Sequence, residues 1–241
     1  MNDPHIAKAF DRDLEAIQAL VMKMGGLVEE AIREAAKSLK TRDTERAEKV
    51  RQGDRKIDEL EDLINTQCAQ LLAIRQPAAT DLRTVLTVMK IAGNLERIGD
   101  YAKNIAKRTE VLSHMQPIEG ASSAIRRMSK EVEAMLSDAL DSYIRRDATV
   151  GEDVRHRDLE VDQMYNALFR EFLTFMMEDP RNITACMHLH FIAKNIERMG
   201  DHVTSIADQV IYLSTGQFPD DQRPKDNQSI YKVEGFEEAD E

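Results

Sequence analysis

The chain has 241 residues, enough for one large core or two modest ones, and 32% of its side chains are charged against 5% aromatic with no Trp. A formal net charge of −11 argues against nucleic acid as a partner, because phosphate binding needs clustered Lys and Arg, but it does not oppose metal cations. Sparse Gly and Pro among abundant Ala, Leu, Ile and Met favour long helices over sheets.

The opening MNDPHIAKAFDRDLEAI lacks the apolar core of a signal peptide, and no stretch is long enough to span a bilayer. A cytosolic chain without membrane insertion is therefore expected. The first amphipathic run is interrupted at Thr41 to Thr44, where Asp43 or Thr44 suits a helix N-cap. Pro77 ends the second run, and Ala79 or Thr80 opens the third. Pro117 and Gly120 mark a wider break, and Arg146 to Thr149 with Gly151 the next. Last comes Asp179 with Pro180, an N-cap followed by a first helical position. Six helices follow, near 6–40, 44–75, 79–114, 121–146, 150–178 and 181–214.

The breaks and the charges repeat. Arg42 and Asp43 correspond to Arg146 and Asp147, and Asp54 and Asp58 to Asp158 and Asp162, at an offset of 104. NLERIGD, Asn94 to Asp100, returns as NIERMGD, Asn195 to Asp201, at an offset of 101. The pattern predicts an all-α chain of two tandem three-helix bundles related by internal duplication, with six long antiparallel helices. The first unit covers about 1–115 and the second about 118–215. Residues 216–241 carry eight acidic and three basic side chains with no helical stripe, which reads as a disordered acidic tail.

Within each unit the acidic residues recur at helical spacing. Glu96 and Asp100 share a face, as do Glu197 and Asp201, each pair on one flank of an apolar stripe. On the preceding helix Asp54, Asp58 and Glu61 fall on the stripe's edge, and Asp158 and Asp162 follow suit in the second unit. Carboxylates from two helices thus face one groove. Two carboxylates about 4 Å apart repel by roughly 1 kcal/mol in water and about 4 kcal/mol at an effective dielectric near 20. Such a group is spread out, partly protonated or bridged by cations, and hard cations such as Mg²⁺ and Mn²⁺ prefer oxygen ligands. Carboxylates also bridge iron and zinc. Gly99 and Gly200, each just before the Asp, imply close helix packing there. A partner surface and plain solvation, with Lys103 or Lys107 pairing the acids, remain open on these residues alone.

Other residues offer less chemistry. Cys68 and Cys186 have neither zinc spacing nor a disulfide framework and read as buried thiols. Arg97 and Arg198 suit bracing rather than ligation. His188, His190 and His202 lie near the second acidic pair without first-unit counterparts. There is no P-loop, no dinucleotide fingerprint and none of the Glu-x-x-His that di-iron oxidases of the ferritin-like bundle need; the acidic clusters themselves make a carboxylate-bridged metalloenzyme, a phosphohydrolase or oxidase, the alternative reading.

RQPAATDLRTVLTVMKIAGNLERIGDYAKNIAKR (Arg75 to Arg108) and NIERMGDHVTSIAD (Asn195 to Asp208) resemble the two repeats of the PhoU family, and MGGLVEEAI is also similar. The resemblance covers about 5–214. It implies multinuclear metal sites, usually iron or zinc, in Glu/Asp-x-x-x-Asp motifs that map onto Asp54/Asp58, Glu96/Asp100, Asp158/Asp162 and Glu197/Asp201. It further implies a non-enzymatic negative regulator of the phosphate-starvation response. Such a protein links the ATPase subunit of the phosphate ABC transporter to a membrane sensor histidine kinase and stays peripheral to the inner membrane through these partners. A homodimer is the expected assembly. The segment Pro77 to Arg83 has no second-repeat counterpart, so a contribution of Asp81 would make the two sites unequal.

Overall fold

The computed structural model describes residues 4–220. Among them the chain forms α1 (Pro4–Thr41), α2 (Thr44–Arg75), α3 (Ala79–Ser113), α4 (Ala121–Arg145), α5 (Ala148–Glu178) and α6 (Ile183–Thr215), and no strands. A 3-10 turn, Pro180–Asn182, precedes α6.

Local chemistry sets these boundaries. Asp43 caps α2, its carboxylate accepting from the Arg46 amide at 2.9 Å, and Asp147 caps α5 through the Thr149 amide at 2.9 Å. Asp179 caps the 3-10 turn rather than α6 itself, accepting from the Arg181 amide at 3.0 Å. Gln76 ends α2 in the left-handed region at φ 46°, and Pro77 blocks continuation.

α1 and α4 end alike. The Asp43 amide donates to the Ser38 carbonyl at 3.0 Å and the Arg42 amide to Leu39 at 3.3 Å. Asp147 reaches Ser142 at 3.0 Å and Arg146 reaches Tyr143 at 3.4 Å. Both are Schellman endings, with arginine at φ 55° and 53° where glycine would be unstrained. The Arg146 side chain is exposed, so Arg146→Gly is expected to raise the urea midpoint by the equivalent of about 0.5–1 kcal/mol.

α1, α2 and α3 pack on one another, as do α4, α5 and α6. The two groups meet through α1 against α4 and α3 against α6. α3 and α6 run antiparallel, since Arg83 lies over Tyr212, Asn94 meets His202 and Arg108 meets His188. Both are therefore covered on several sides and carry small residues at close approaches, among them Ala92, Ala102 and Ala106 on α3 and Ala193 and Ala207 on α6. Cys68 and Cys186 are buried free thiols, and Met24, Met128 and Met135 fill core positions, whereas Met177 is exposed. Beyond α6, Phe218 stacks on Tyr212 with ring centroids 4.2 Å apart. The rest of the acidic tail, 221–241, lies outside the described residues. No helix among the described residues is long and apolar enough to cross a membrane.

Candidate metal centre in two acidic grooves

The first groove lies between α2 and α3, the helices that carry Asp54, Asp58, Glu61 and Glu96, Asp100. Helical spacing placed Asp54 on the edge of the α2 stripe. Instead Asp54 is buried, at 5% exposure, while Asp58 is exposed. The residue facing it explains why: a Cβ on Gly99 would stand 3.0 Å from Ile57 Cδ1 and 3.7 Å from Asp54 Oδ1, so the missing side chain lets α2 close down on α3.

A buried carboxylate needs a counter-charge. Lys103, one turn beyond Asp100, supplies it: its Nζ donates to Asp100 Oδ1 at 2.7 Å and also to Asp54 Oδ2. Burial works against the Lys103 charge, but its hydrogen bonds to Asp100 and Asp54 outweigh it and hold its pKa above the usual lysine range. Asp54 Oδ1 is buried with no hydrogen-bond partner among the described residues. Arg97 only brackets the group from its exposed side, 3.5 Å from Glu96 and 3.8 Å from Asp100.

Glu96 is the most perturbed acid of the groove. Burial, with the charge of Asp100 behind it, pushes its pKa from 4.5 to about 7, against the opposing pull of Arg97. Burial and the neighbouring charge of Asp54 likewise raise Asp58. Since the folded Glu96 pKa lies above its unfolded value, its protonation favours the folded state fully below pH 4.5, and that contribution is lost as pH rises through about 7. In the metal-free chain Glu96→Gln is expected to flatten this decline and to add about 1 kcal/mol at pH 8, discounted for the solvent reaching Glu96, as read by urea unfolding across pH.

The second groove lies between α5 and α6. Asp158 is buried at 2% exposure, Asp162, Glu197 and Asp201 are half-buried, and burial raises Glu197 despite the lysine beside it. That lysine is Lys194, whose Nζ lies 2.8 Å from Glu197 Oε1. It stands where the first repeat has Gly93, and Thr204 stands where the first has Lys103. The Thr204 hydroxyl donates to the Asp201 carbonyl at 2.8 Å.

The nearby histidines are engaged in other contacts. His188 Nδ1 lies 3.2 Å from the Arg108 guanidinium, and His190 sits among the rings of Tyr165, Phe169 and Phe191. His202 bonds Asn94 Oδ1 at 2.8 Å across the α3–α6 contact and packs on Tyr101. Burial pushes all three below the usual imidazole range. Asp81 occupies the first turn of α3, about four turns from Glu96, and does not reach the groove. A cavity of about 320 Å³ between α1 and α2 is lined by Glu34, Arg46 and Ile57 and by none of the eight carboxylates.

Among the described residues no three His, Cys, Asp or Glu side chains are gathered tightly enough to enclose a metal ion. In the first groove an ammonium stands between Asp54 and Asp100. The donor type nonetheless suits a hard cation: oxygen ligands from two helices, mutually repelling, one oxygen buried and without a hydrogen-bond partner among the described residues. Asp54, Asp58, Glu96 and Asp100 would hold it in the first groove, and Asp158, Asp162, Glu197 and Asp201 in the second.

Sequence and structure comparisons agree with this architecture. The PhoU domain matches residues 21–109 and 125–210. The chain belongs to the PhoU family. A phosphate-specific transport system accessory protein PhoU homolog from Caulobacter vibrioides is 43% identical over 221 residues, covering 92% of this chain and 96% of the relative. One from Rhizobium meliloti is 40% identical over 227 residues, covering 94% and 96%. The crystal structure of PhoU from Pseudomonas aeruginosa superposes with a TM-score of 0.83 at 37% identity, covering 86% of this chain and all of that one. The phosphate transport system regulatory protein PhoU from Streptococcus pneumoniae gives 0.81 at 31% identity, covering 88% and 99%.

Proposed function

We propose that this chain is a negative regulator of the phosphate-starvation response, a metal-binding adaptor that couples the phosphate ABC transporter to its sensor histidine kinase. The observation that carries this reading is full-length likeness: phosphate-specific transport accessory proteins match nearly end to end, through both repeats. The acidic grooves support the metal-binding part, since each repeat carries two pairs of carboxylates on adjacent helices. A bound divalent cation would offset their repulsion and tie α2 to α3, or α5 to α6. Its partners are the transporter's ATPase subunit and the kinase, and the chain acts in the cytoplasm, as a homodimer, without entering the membrane.

Regulation rather than catalysis also suits the side chains. Glu96 is held near neutrality, as an acid–base catalyst would be, yet no nucleophile stands in hydrogen-bonding contact with it among the described residues. Deleting the gene is expected to switch on phosphate-starvation promoters in phosphate-rich medium, measured with a transcriptional reporter. Unchanged reporter output there would remove the regulatory reading. Turnover of phosphate esters by the Mn²⁺-loaded chain, lost on Asp100→Asn, would replace it with a hydrolase.

A further inference from the structure

We propose that the cleft between α1 and α2 is a docking site for an acidic amphipathic helix of another protein. The surface lies apart from the acidic grooves, and the inference does not depend on their binding metal.

The cleft is the cavity of about 320 Å³ between these two helices. Its lining follows α2 from Asp43 to Ile57, a length of about 20 Å or roughly four helical turns. Leu27 and Ala31 of α1 and Val50 and Ile57 of α2 give it an apolar floor. An elongated apolar trough between two helices is the shape into which a third helix sets its apolar face.

The second repeat bridges the corresponding place with a side chain of its own. At the offset of 104, Gly53 becomes Arg157 and Leu27 becomes Glu131. The Arg157 guanidinium spans α4 and α5, donating to Glu131 at 2.7 Å and also to Asp138. In the first repeat a Cβ on Gly53 would meet nothing within 4 Å, so no contact inside the chain requires glycine there. Counted from the Arg46–Glu34 pair, Gly26 of α1 lies nearly level with Gly53; it is equally open, and its counterpart is Lys130. Glycine inside a helix costs stability relative to alanine. Close approach of a partner's backbone is a reason to keep it.

Charge selects the partner. Lys49 and Lys56 stand one turn to either side of Gly53, and Lys23 stands one turn before Leu27. All three are exposed, and none is in an ion pair among the described residues. Arg46 already takes Glu34 and Asp43, which leaves Glu30 as the lining acid nearest Gly53, while Glu45 lies two turns away. The second repeat reverses the pattern, with Asp153 and Glu160 where Lys49 and Lys56 stand. On a chain of net charge −11, three such lysines around an apolar trough favour an acidic guest. A second copy bound about a two-fold axis would set these lysines against one another, so the guest is a different chain.

The test is photocrosslinking in the native host from a benzophenone side chain in place of Gln52, beside Gly53, with the adduct identified by mass spectrometry. The expected adduct is a helix with an acidic face in a protein other than this chain. Gly53→Arg, which copies the second repeat, should abolish it, and so should Lys49→Glu with Lys56→Glu. A synthetic peptide of the crosslinked helix then gives the affinity for the purified full-length chain. Both sets of variants are expected to weaken it by about tenfold or more. Gly53→Ala separates binding from packing: it should raise the thermal midpoint of the free chain while weakening the peptide.

Adducts confined to this chain or a second copy, or no adduct at all, would overturn the proposal. So would a peptide affinity that Gly53→Arg leaves unchanged. Vesicles of phosphatidylglycerol and phosphatidylcholine check the other anionic surface. A membrane would hold Gly53→Arg at least as tightly as wild type, since the variant adds a cation, and vesicle binding of that kind without peptide binding would overturn the helix.

Discussion

Gly200→Ala is expected to cost about 2 kcal/mol of folding stability, while Gly99→Ala stays within about 0.5 kcal/mol of wild type. Each substitution gains about 1 kcal/mol of helix propensity, so the difference comes from what the new methyl meets. At Gly200 it would stand 2.6 Å from Asp158 Oδ1 and 3.5 Å from Val161 Cγ1. Asp158 is buried and cannot swing into solvent, so the backbones of α5 and α6 must part. At Gly99 the nearest atom is the Cδ1 end of Ile57 at 3.0 Å, which a small rotamer change relieves. Urea unfolding of the two variants side by side checks the prediction. Equal costs would mean that the two grooves are packed equally tightly.

Arg42→Ala is expected to lower stability by about 2 kcal/mol, again by urea unfolding. The Arg42 guanidinium donates to the carbonyls of Leu112, Ser113 and Met115, closing the C-terminal end of α3 from the turn between α1 and α2. The Leu112 carbonyl also accepts from the Met115 amide at 3.1 Å, so the guanidinium ties the last turn of α3 to the chain just beyond it, and a cation there also complements the helix dipole. Hydrogen bonds to a charged donor are worth roughly 1.5–3 kcal/mol, part of which water returns once the side chain is gone. Arg42→Gly relieves the φ of 55° but loses the same cap, so it should still destabilise. The opposite sign expected at Arg146, with the same backbone geometry, separates capping from strain.

Much of the fold was legible because its signals are local. Asp43, Pro77 and Asp147 fall at helix boundaries through chemistry confined to a few residues, and the repeat offsets placed equivalent positions without any structure. Helical spacing also assigned Glu96 and Asp100 to a common face, where burial first and then the charge of Asp100 lift Glu96. What it missed depends on contacts distant in sequence. A wheel puts Asp54 at the edge of a stripe, yet the absent side chain of Gly99 draws it inside, and only then does it require Lys103. A pairing of Lys103 with Asp100 could be read from their spacing, but its second partner is 49 residues away. The Asn94–His202 bond spans 108 residues and leaves no periodic trace. Lys194 beside Glu197 was visible at three residues' distance and marks the difference between the repeats.

The contact of α3 with α6 has a consequence for how the two grooves came to differ. Tyr101 and His202 follow the Asp of their respective motifs and lie against each other, so this seam has the form of a two-fold interface between identical halves. In an assembly of two separate chains every substitution appears twice, and a lysine placed in one groove is placed in both. Joining the halves by the segment between α3 and α4 lifts that constraint. One repeat can then carry a lysine, Lys103, at the position where the other carries a threonine, Thr204.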